Sequence, residues 1–291
     1  MPNLSLLLSQ LFNGLALGTL LALISTGLTI ILGTLGVLNF AHGALFMVGA
    51  YVGYAVMQAT HSFVLAVACG ALFVLVLGVI IERGLIRLYY DRPPEDQILM
   101  TFGLGIVIVE VVRLLFGGIS RRMAVPDWGN GIFNMGFMIY PKYRLIVMVI
   151  VAVTLLILYL VLYRTRLGLV VRAGIEDQRM VGMLGLNVQR TFMVVFGLGA
   201  MAAGYAGAID APIVSVTPDM GEQVLVESFV VVVIGGLGSF PGAILGGLIA
   251  GEIISLTSMF NPAYSQVMLY AAMALVLVLR PQGLFGQEGR E

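Results

Sequence analysis

Long apolar runs separated by short polar stretches fill most of this sequence. Six of these runs approach the length of about 20 residues that an α-helix needs to cross a hydrocarbon core of about 30 Å. They cover residues 10–32, 62–81, 97–116, 143–163, 190–210 and 264–280. Each run is predicted to be a membrane-spanning helix.

Two further apolar stretches are interrupted. Residues 38–60 begin with several polar or small residues, and residues 223–258 contain Gly-Gly-Leu-Gly-Ser-Phe-Pro-Gly at 235–242. The second stretch is expected to form a short helix, a break and another helix. The sequence therefore predicts an all-α, polytopic membrane helical bundle of about eight or nine transmembrane segments, some of them broken or re-entrant. It is expected to form a single domain over residues 1–291.

The two interruptions are the candidate translocation pathway. Irregular backbone cannot face lipid, because each unsatisfied amide or carbonyl group would cost several kcal/mol there, so both breaks should face the bundle interior. Broken helices also place backbone donors and acceptors at many transport sites. The candidate residues are Asn39, His42, Gly43, Gly238, Pro241 and Gly242. For His42, a hydrogen bond that caps a helix or joins two helices fits equally well.

Glycines recur at similar spacings after both breaks. Gly43, Gly49 and Gly53 follow the first, and Gly242, Gly246, Gly247 and Gly251 follow the second. This similarity is either a trace of an internal duplication, which is common in transporters, or two unrelated packing faces.

Composition supports a membrane protein. Of the 291 residues, 60% are hydrophobic and 10% are charged, and the mean hydropathy is +1.05, whereas soluble domains carry about 25% charged residues. The net charge is zero, so no basic arm or acidic tail indicates a nucleic-acid partner. A single cysteine, Cys69, excludes an internal disulfide. The N-terminus lacks the basic region of a cleavable signal peptide, so the first run is expected to be retained.

Three glutamates lie within the predicted membrane segments: Glu110, Glu227 and Glu252. Such residues are costly to bury and often mark transport pathways. Glu110 precedes Arg113 by three residues, so an ion pair near the helix end is the alternative to a pathway role. Glu227 and Glu252 flank the second break in sequence. An ion-coupled secondary transporter or channel would need buried carboxylates near mid-membrane, and Glu110 is the candidate for that role.

No catalytic constellation is present in the sequence. A P-loop needs a Gly-Lys-Ser/Thr step, and the only lysine, Lys142, stands between Pro141 and Tyr143. His42 and His61 are too far apart for the HExxH motif of zinc proteases. An intramembrane enzyme is therefore disfavoured. We expect no enzyme activity, no metal site and no cofactor in this chain.

Arginines concentrate in two predicted loops. Residues 164–190 carry Arg164, Arg166, Arg172, Arg179 and Arg190, and residues 82–96 carry Arg83, Arg87 and Arg92. The positive-inside rule places both loops in the cytoplasm, with the N-terminus outside and the C-terminus inside. Loop 117–142 is an exception, because it is expected outside yet contains three basic residues.

The 164–190 loop is too polar for lipid and too long for a tight turn. A surface helix over 167–186 would place Arg172, Glu176 and Arg179 along one face, at spacings of four and three. A solvated loop would satisfy the charge pattern equally well. A helix between two spans would give a soluble partner a rigid handle on the bundle.

Three stretches resemble the LivH-type permeases of branched-chain amino acid ABC transporters, and the resemblance extends over essentially the whole chain. Residues 36–51 read Gly-Val-Leu-Asn-Phe-Ala-His-Gly-Ala-Leu-Phe-Met-Val-Gly-Ala-Tyr, and residues 280–286 read Arg-Pro-Gln-Gly-Leu-Phe-Gly. The third stretch is similar to the family's ATPase-coupling loop at Arg172, Ala173, Glu176, Asp177, Met180, Gly185 and Asn187. Val181 stands where the family commonly has alanine, and this departure is expected to alter fine docking.

The resemblance implies a translocating subunit that contains no ATPase of its own. Its implied partners are a homologous second permease subunit, two cytoplasmic ATPase subunits that hydrolyse the ATP, and a periplasmic substrate-binding protein. The implied location is the bacterial inner membrane. The implied substrates are leucine, isoleucine and valine, while related members carry urea, short amides, other hydrophobic amino acids or sugars.

Overall fold

The computed structural model describes residues 4–90, 92–134, 136 and 138–286, and its described part is almost entirely helical. The α-helices are α1 (Leu4–Leu35), α2 (His42–Thr60), α3 (Phe63–Gly84), α4 (Pro94–Phe116), α5 (Lys142–Arg164), α6 (Arg166–Glu176), α7 (Gln178–Met183), α8 (Val188–Asp210), α9 (Met220–Gly235), α10 (Phe240–Phe260) and α11 (Ser265–Leu279). Short 3₁₀ helices cover Ile86–Tyr89, Asp127–Gly129 and Pro262–Tyr264. Strands β1 (Ile132–Asn134) and β2 (Ile139–Pro141) form an antiparallel hairpin.

Eight helices in the described residues are long and apolar enough to cross a membrane. They are α1 to α5, α8, α10 and α11, the last with its preceding 3₁₀ turn. They confirm the six regular runs and the 38–60 stretch. The prediction of a short helix, a break and a second helix within 223–258 is confirmed by α9 and α10. With 16 residues, α9 is about 24 Å long and too short to cross the hydrocarbon core alone.

The helices divide into a central and a peripheral set. In the most apolar windows of α1 and α8, 78% and 72% of the residues are buried, against 17%, 22% and 11% in α4, α5 and α11. The peripheral helices turn large apolar side chains outward, such as Leu114 at 85% exposure. These helices therefore present an apolar surface, as expected of a protein surrounded by lipid.

Glycines bring the central helices into backbone contact. A Cβ atom built on Gly18 of α1 would lie 2.8 Å from the Cα of Leu248 in α10. One built on Gly49 of α2 would overlap the backbone of Gly204 in α8. Membrane helices lack a hydrophobic drive to associate, so close packing between small residues supplies much of the attraction.

The two glycine-rich helices share one neighbour. Gly43, at the start of α2, meets the backbone of Gly221 in α9, and Gly242, at the start of α10, meets Gly235 at the other end of α9. Beyond α9 their partners differ, because α2 packs mainly on α8 and α3 while α10 packs mainly on α1.

The predicted loops lie at two opposite ends of the bundle. The β-hairpin within loop 117–142 lies beside the start of α1, where the Tyr140 hydroxyl donates a hydrogen bond to the carbonyl oxygen of Phe12 at 3.1 Å. From this hairpin α5 crosses the bundle to reach α6 and α7, and α8 crosses back. The 164–190 loop and loop 117–142 are therefore on opposite sides, as the loop parity predicted.

Gly49→Leu is expected to prevent normal assembly of the bundle. The leucine side chain would have to displace the backbone of Gly204, and overpacking of this kind costs at least about 1–3 kcal/mol. The matched control is Gly103→Leu on α4, because a Cβ there has no atom within 4 Å. Membrane yield and thermal melting in detergent would show the difference. Equal melting temperatures for the two variants would contradict the close packing.

Candidate functional site

The 164–190 segment forms two short helices where a single helix was predicted. Asp177 adopts an extended conformation, with φ of −151° and ψ of 96°, between α6 and α7. Its carboxylate accepts a hydrogen bond from the amide of Met180 at 2.9 Å and caps the start of α7. The prediction of one helix through Arg172, Glu176 and Arg179 is therefore wrong, because α6 ends at Glu176 and α7 begins at Gln178.

Arg172 holds α6 against the end of α5. Its Nη1 donates a hydrogen bond to the carbonyl oxygen of Leu162 at 2.6 Å, and its guanidinium carbon lies 5.6 Å from the centre of the Tyr163 ring. The last carbonyl groups of a helix have no intrahelical donor and carry a partial negative charge, so a cation binds favourably there. Part of the guanidinium expected to contact a partner is thus already bound within the chain.

The outer surface of the segment carries both apolar and charged side chains. Ala173 and Glu176 are exposed at the end of α6, and Met180, Met183 and Leu184 are exposed on and after α7, with Met183 at 81%. Gly185 has a φ of +78° and reverses the chain. Asn187 then caps α8 by accepting a hydrogen bond from the amide of Arg190 at 2.9 Å. Exposed apolar residues in such a segment are typical of a protein contact.

The inner surface packs on the start of α8. Val181 is only 4% exposed and packs with Val188 and Phe192. A Cβ on Gly174 would lie 3.0 Å from a methyl group of Val188. Val181 therefore faces the bundle and not the outer surface, so an effect of this residue on docking would have to act through the packing of α7 on α8.

The break between α1 and α2 is buried at Val37, Asn39 and Ala41, as predicted, while Gly36 is exposed, and α4 supplies part of its hydrogen bonding. The hydroxyl oxygen of Thr101 accepts a hydrogen bond from the amide of Phe40 at 3.1 Å and lies 3.1 Å from the carbonyl oxygen of Leu38. The Asn39 side-chain oxygen accepts one from the amide of Ala41, also at 3.1 Å. Sequence analysis missed Thr101, because a threonine in an apolar run carries no local sign of a partner 61 residues away.

His42 joins two helices. Its ring is fully buried, and Nε2 donates a hydrogen bond to the carbonyl oxygen of Ile24 in α1 at 3.0 Å. Gly27 makes room for the ring, since a Cβ there would lie 3.2 Å from His42 Cε1. This geometry agrees with the interhelical hydrogen bond considered for His42. Among the described residues, neither His42 Nδ1 nor Asn39 Nδ2 has a hydrogen-bond partner.

The break between α9 and α10 lies at the end of the bundle. Gly236 and Gly238 have positive φ values of 103° and 77°, and Leu237 is 62% exposed. Ser239 caps α10, with Pro241 in its first turn, and its hydroxyl accepts a hydrogen bond from the amide of Gly242 at 3.2 Å. The prediction that this whole break faces the interior is therefore wrong for residues 237–238, because the chain turns where it leaves the bundle.

The C-terminal segment folds back onto this second break. The amides of Leu284 and Phe285 donate hydrogen bonds to the carbonyl oxygens of Ile234 and Gly235, both at 2.9 Å. These carbonyl groups end α9 and would otherwise have no donor. The 280–286 stretch thus serves as a cap on α9.

An ion pair fixes the short connection between α3 and α4. Glu82 is fully buried, accepts two hydrogen bonds from Arg87 at 3.0 and 3.3 Å and accepts a third from the Tyr90 hydroxyl at 2.8 Å. Burial and then the Glu82 charge raise the pKa of Tyr90 well above its usual value, so the hydroxyl keeps the proton that it donates. The Tyr90 ring lies 6.4 Å from that of Phe192, next to the 164–190 segment.

The three predicted membrane carboxylates lie apart. Glu110 pairs with Arg113 at 2.7 Å on an exposed surface, and Arg113 also binds Asp219 at 2.8 Å, which confirms the ion pair. Glu227 is buried and accepts a hydrogen bond from Gln223 at 2.9 Å.

Glu227 and Glu252 are not beside the second break. Glu252 lies against Gly14 of α1. The two glutamates are eight and twelve residues from the helix ends at the break, or about 12 and 18 Å along each axis. The described residues contain no cluster of three potential metal ligands.

The sequence is similar to a known family of permeases and to individual members of it. The family model described as branched-chain amino acid transport system, permease component, matches residues 10–277. The high-affinity branched-chain amino acid transport system permease protein LivH of Escherichia coli (strain K12) is 31% identical, over 96% of this chain and 96% of its own. BraD of Pseudomonas aeruginosa, of the same description, is 30% identical over 99% and 98%. The permease protein LivM of Escherichia coli is 27% identical over 90% of this chain and 67% of its own.

Thr101→Val is expected to destabilise the protein, because it leaves the buried amide of Phe40 without an acceptor. A lost partner of this kind costs about 1–3 kcal/mol. Thr101→Ser is the control, since it keeps the hydroxyl group. A lower melting temperature for the valine variant alone is the expected result in detergent. Equal losses for both variants would contradict this assignment, because serine keeps the hydroxyl group and should lose little stability.

Proposed function

This chain belongs to the family of permease components of branched-chain amino acid transport systems, and on that premise we propose that it is the translocating subunit of an ATP-driven importer of leucine, isoleucine and valine. The observation that carries the proposal is the two-helix segment of residues 166–183, which stands outside the bundle yet is continuous with α5 and α8. A separate ATPase subunit needs such a handle, because this chain contains no P-loop. The chain acts in transport and not as an enzyme.

The partners follow from the same premise. The 27% identity with LivM, itself a permease protein, supports a homologous second permease subunit in the complex. Two ATPase subunits would bind at the α6 end of the bundle, and a binding protein would deliver substrate at the end that carries the β-hairpin. The arginines of residues 82–96 and 164–190 favour the cytoplasm for the α6 end. The chain would then lie in the inner membrane of a bacterium, with its N-terminus outside.

Glu110 does not support the competing class of protein, an ion-coupled transporter. Its carboxylate is half-exposed and is neutralised by Arg113, which in turn binds a second carboxylate. A coupling-ion site needs a buried carboxylate that can exchange its cation. The proposal that the substrates are leucine, isoleucine and valine rests on the family relationship and on the relatives' names.

The function is tested by reconstitution. The chain, a second permease subunit, the ATPase subunits and the binding protein from one genome would be assembled in liposomes, and uptake of labelled leucine would be measured with and without ATP. We expect uptake only with ATP, with leucine, isoleucine and valine preferred to urea and acetamide, and no ATP hydrolysis by the purified chain alone. Uptake driven by an ion gradient without ATP would refute the importer. A preference for urea would refute the substrate alone.

Docking of the ATPase on the 164–190 segment predicts a specific crosslink. With Cys69 replaced by alanine, Met180→Cys should crosslink to the ATPase subunit, because Met180 is exposed on α7. Leu114→Cys, on the membrane surface of α4, is the control and should give no crosslink. Glu176→Lys should preserve the permease in the membrane while substrate no longer stimulates ATP hydrolysis. Labelling of position 180 by an impermeant reagent from the periplasm would contradict both docking and topology.

A further inference from the structure

Three aromatic rings join the end of α5 to the start of α10. Tyr159 and Tyr163 stack with ring centroids 4.7 Å apart, and the Phe240 ring lies 5.9 and 6.1 Å from them. Phe240 is the first residue of α10 and is 4% exposed. Tyr159, Tyr163 and Phe240 are called the aromatic cluster below. It connects two helices that are far apart in the sequence.

The same cluster is also contacted by α6. The Arg172 guanidinium lies over the Tyr163 ring at 5.6 Å, while its Nη1 is bonded to Leu162, the residue before that tyrosine. A cation and the face of an aromatic ring attract each other, and the hydrogen bond to Leu162 keeps the Arg172 guanidinium in place. A displacement of α6 therefore acts on Tyr163, and through its ring on Phe240.

We propose that Tyr163 and Phe240 are positioning residues that transmit movement of α6 to the break between α9 and α10. The inference rests on the proposed function, because it requires an ATPase that moves α6. In this proposal the second break acts as a hinge at the end of the bundle. It does not line the centre of the translocation pathway.

The break has the construction of a hinge. Gly236 and Gly238 have positive φ values, and Leu237 between them is exposed. Gly236 packs against the backbone of the C-terminal segment at Gly283 and Gly286, while Gly238 contacts Gly33 of α1. On one side, the C-terminal segment fixes the end of α9 through Leu284 and Phe285. On the other side, α10 begins at Phe240. A pull on Phe240 would therefore be absorbed by rotation about residues 237–239 and would move α10 against α9.

The aromatic cluster gives α6 a contact with α10 that the covalent chain does not. α5 and α8 flank the 164–190 segment directly and would move with it in any case. α10 begins only after two further helices, so it needs a tertiary contact. The segment also contacts α1 and the start of α8. From there, Phe192 and Tyr90 lead to the connection between α3 and α4 and not to α10.

The test uses the reconstituted complex with Cys69→Ala and a reporter cysteine in the hinge, Leu237→Cys. Its labelling rate by a soluble maleimide would be measured with and without a non-hydrolysable ATP analogue. We expect the nucleotide to change this rate several-fold in the parent. Phe240→Leu, which fills the space without a ring, should reduce that change at least fivefold, and so should Tyr163→Ala. Tyr163→Phe keeps the ring and should preserve the change.

Phe73→Ala is the matched control, because it removes an exposed ring on α3 outside the cluster. It should leave the nucleotide effect intact. Copurification of the ATPase shows that each variant still assembles. If the Phe240→Leu variant does not assemble, the nucleotide effect at position 237 in Tyr163→Phe is compared with that in Tyr163→Ala. This comparison tests the role of the aromatic ring in the same assay.

Two results would overturn the inference. One is a full nucleotide effect at position 237 in the Phe240→Leu and Tyr163→Ala complexes. The other is a labelling rate at position 237 that nucleotide does not change in a parent complex that takes up leucine with ATP. That result would refute the hinge but not the proposed function. Failure of the proposed function looks different, because ATP-dependent uptake and the crosslink from position 180 would both be missing.

Discussion

Lipid cannot hydrogen-bond the backbone, and this constraint governs how the irregular parts of the chain are arranged. A helix satisfies its own amides and carbonyls, but each break exposes groups that cost several kcal/mol if they stay unpaired in hydrocarbon. In the first break, the backbone of Leu38 and Phe40 lies within hydrogen-bonding distance of the Thr101 hydroxyl of α4. The second lies where the bundle ends, and the C-terminal segment donates to the last carbonyls of α9. The position of α4 and the return of the C-terminus both follow from this need.

Close backbone packing is the second condition for these breaks. Gly43 and Gly221 bring the starts of α2 and α9 together, and Gly235 and Gly242 bring the end of α9 to the start of α10. Larger residues at these positions would hold the helices apart and let lipid or water reach the irregular backbone. The glycines therefore do more than strengthen packing. They keep the breaks covered by protein.

Sequence patterns predicted what is local and missed what is distant. Length and hydropathy located every span, and glycine with proline located the second break, because these signals lie within one segment. The spacing of Arg172, Glu176 and Arg179 predicted one helix, but Asp177 is a capping residue that could have been read as a boundary. Thr101 and Phe240 could not be assigned from sequence, since their roles come from helices brought together only by folding. The buried position of Val181 also depends on α8.

The exposed 164–190 segment and the second break, which the sequence analysis treated as separate sites, meet at one end of the bundle. Arg172 of the exposed segment and Phe240 of the second break both contact Tyr163. Aromatic pairs contribute about 0.5–1.5 kcal/mol beyond their burial, and an exposed cation–π contact about 0.5–1 kcal/mol. Their sum falls in the range of about 1–3 kcal/mol that commonly couples two sites. A connection of this strength can bias a hinge between two states yet break and re-form in each cycle. A rigid apolar core between α6 and α10 would instead hold one state, because the cost of parting it would exceed the bias that a partner supplies.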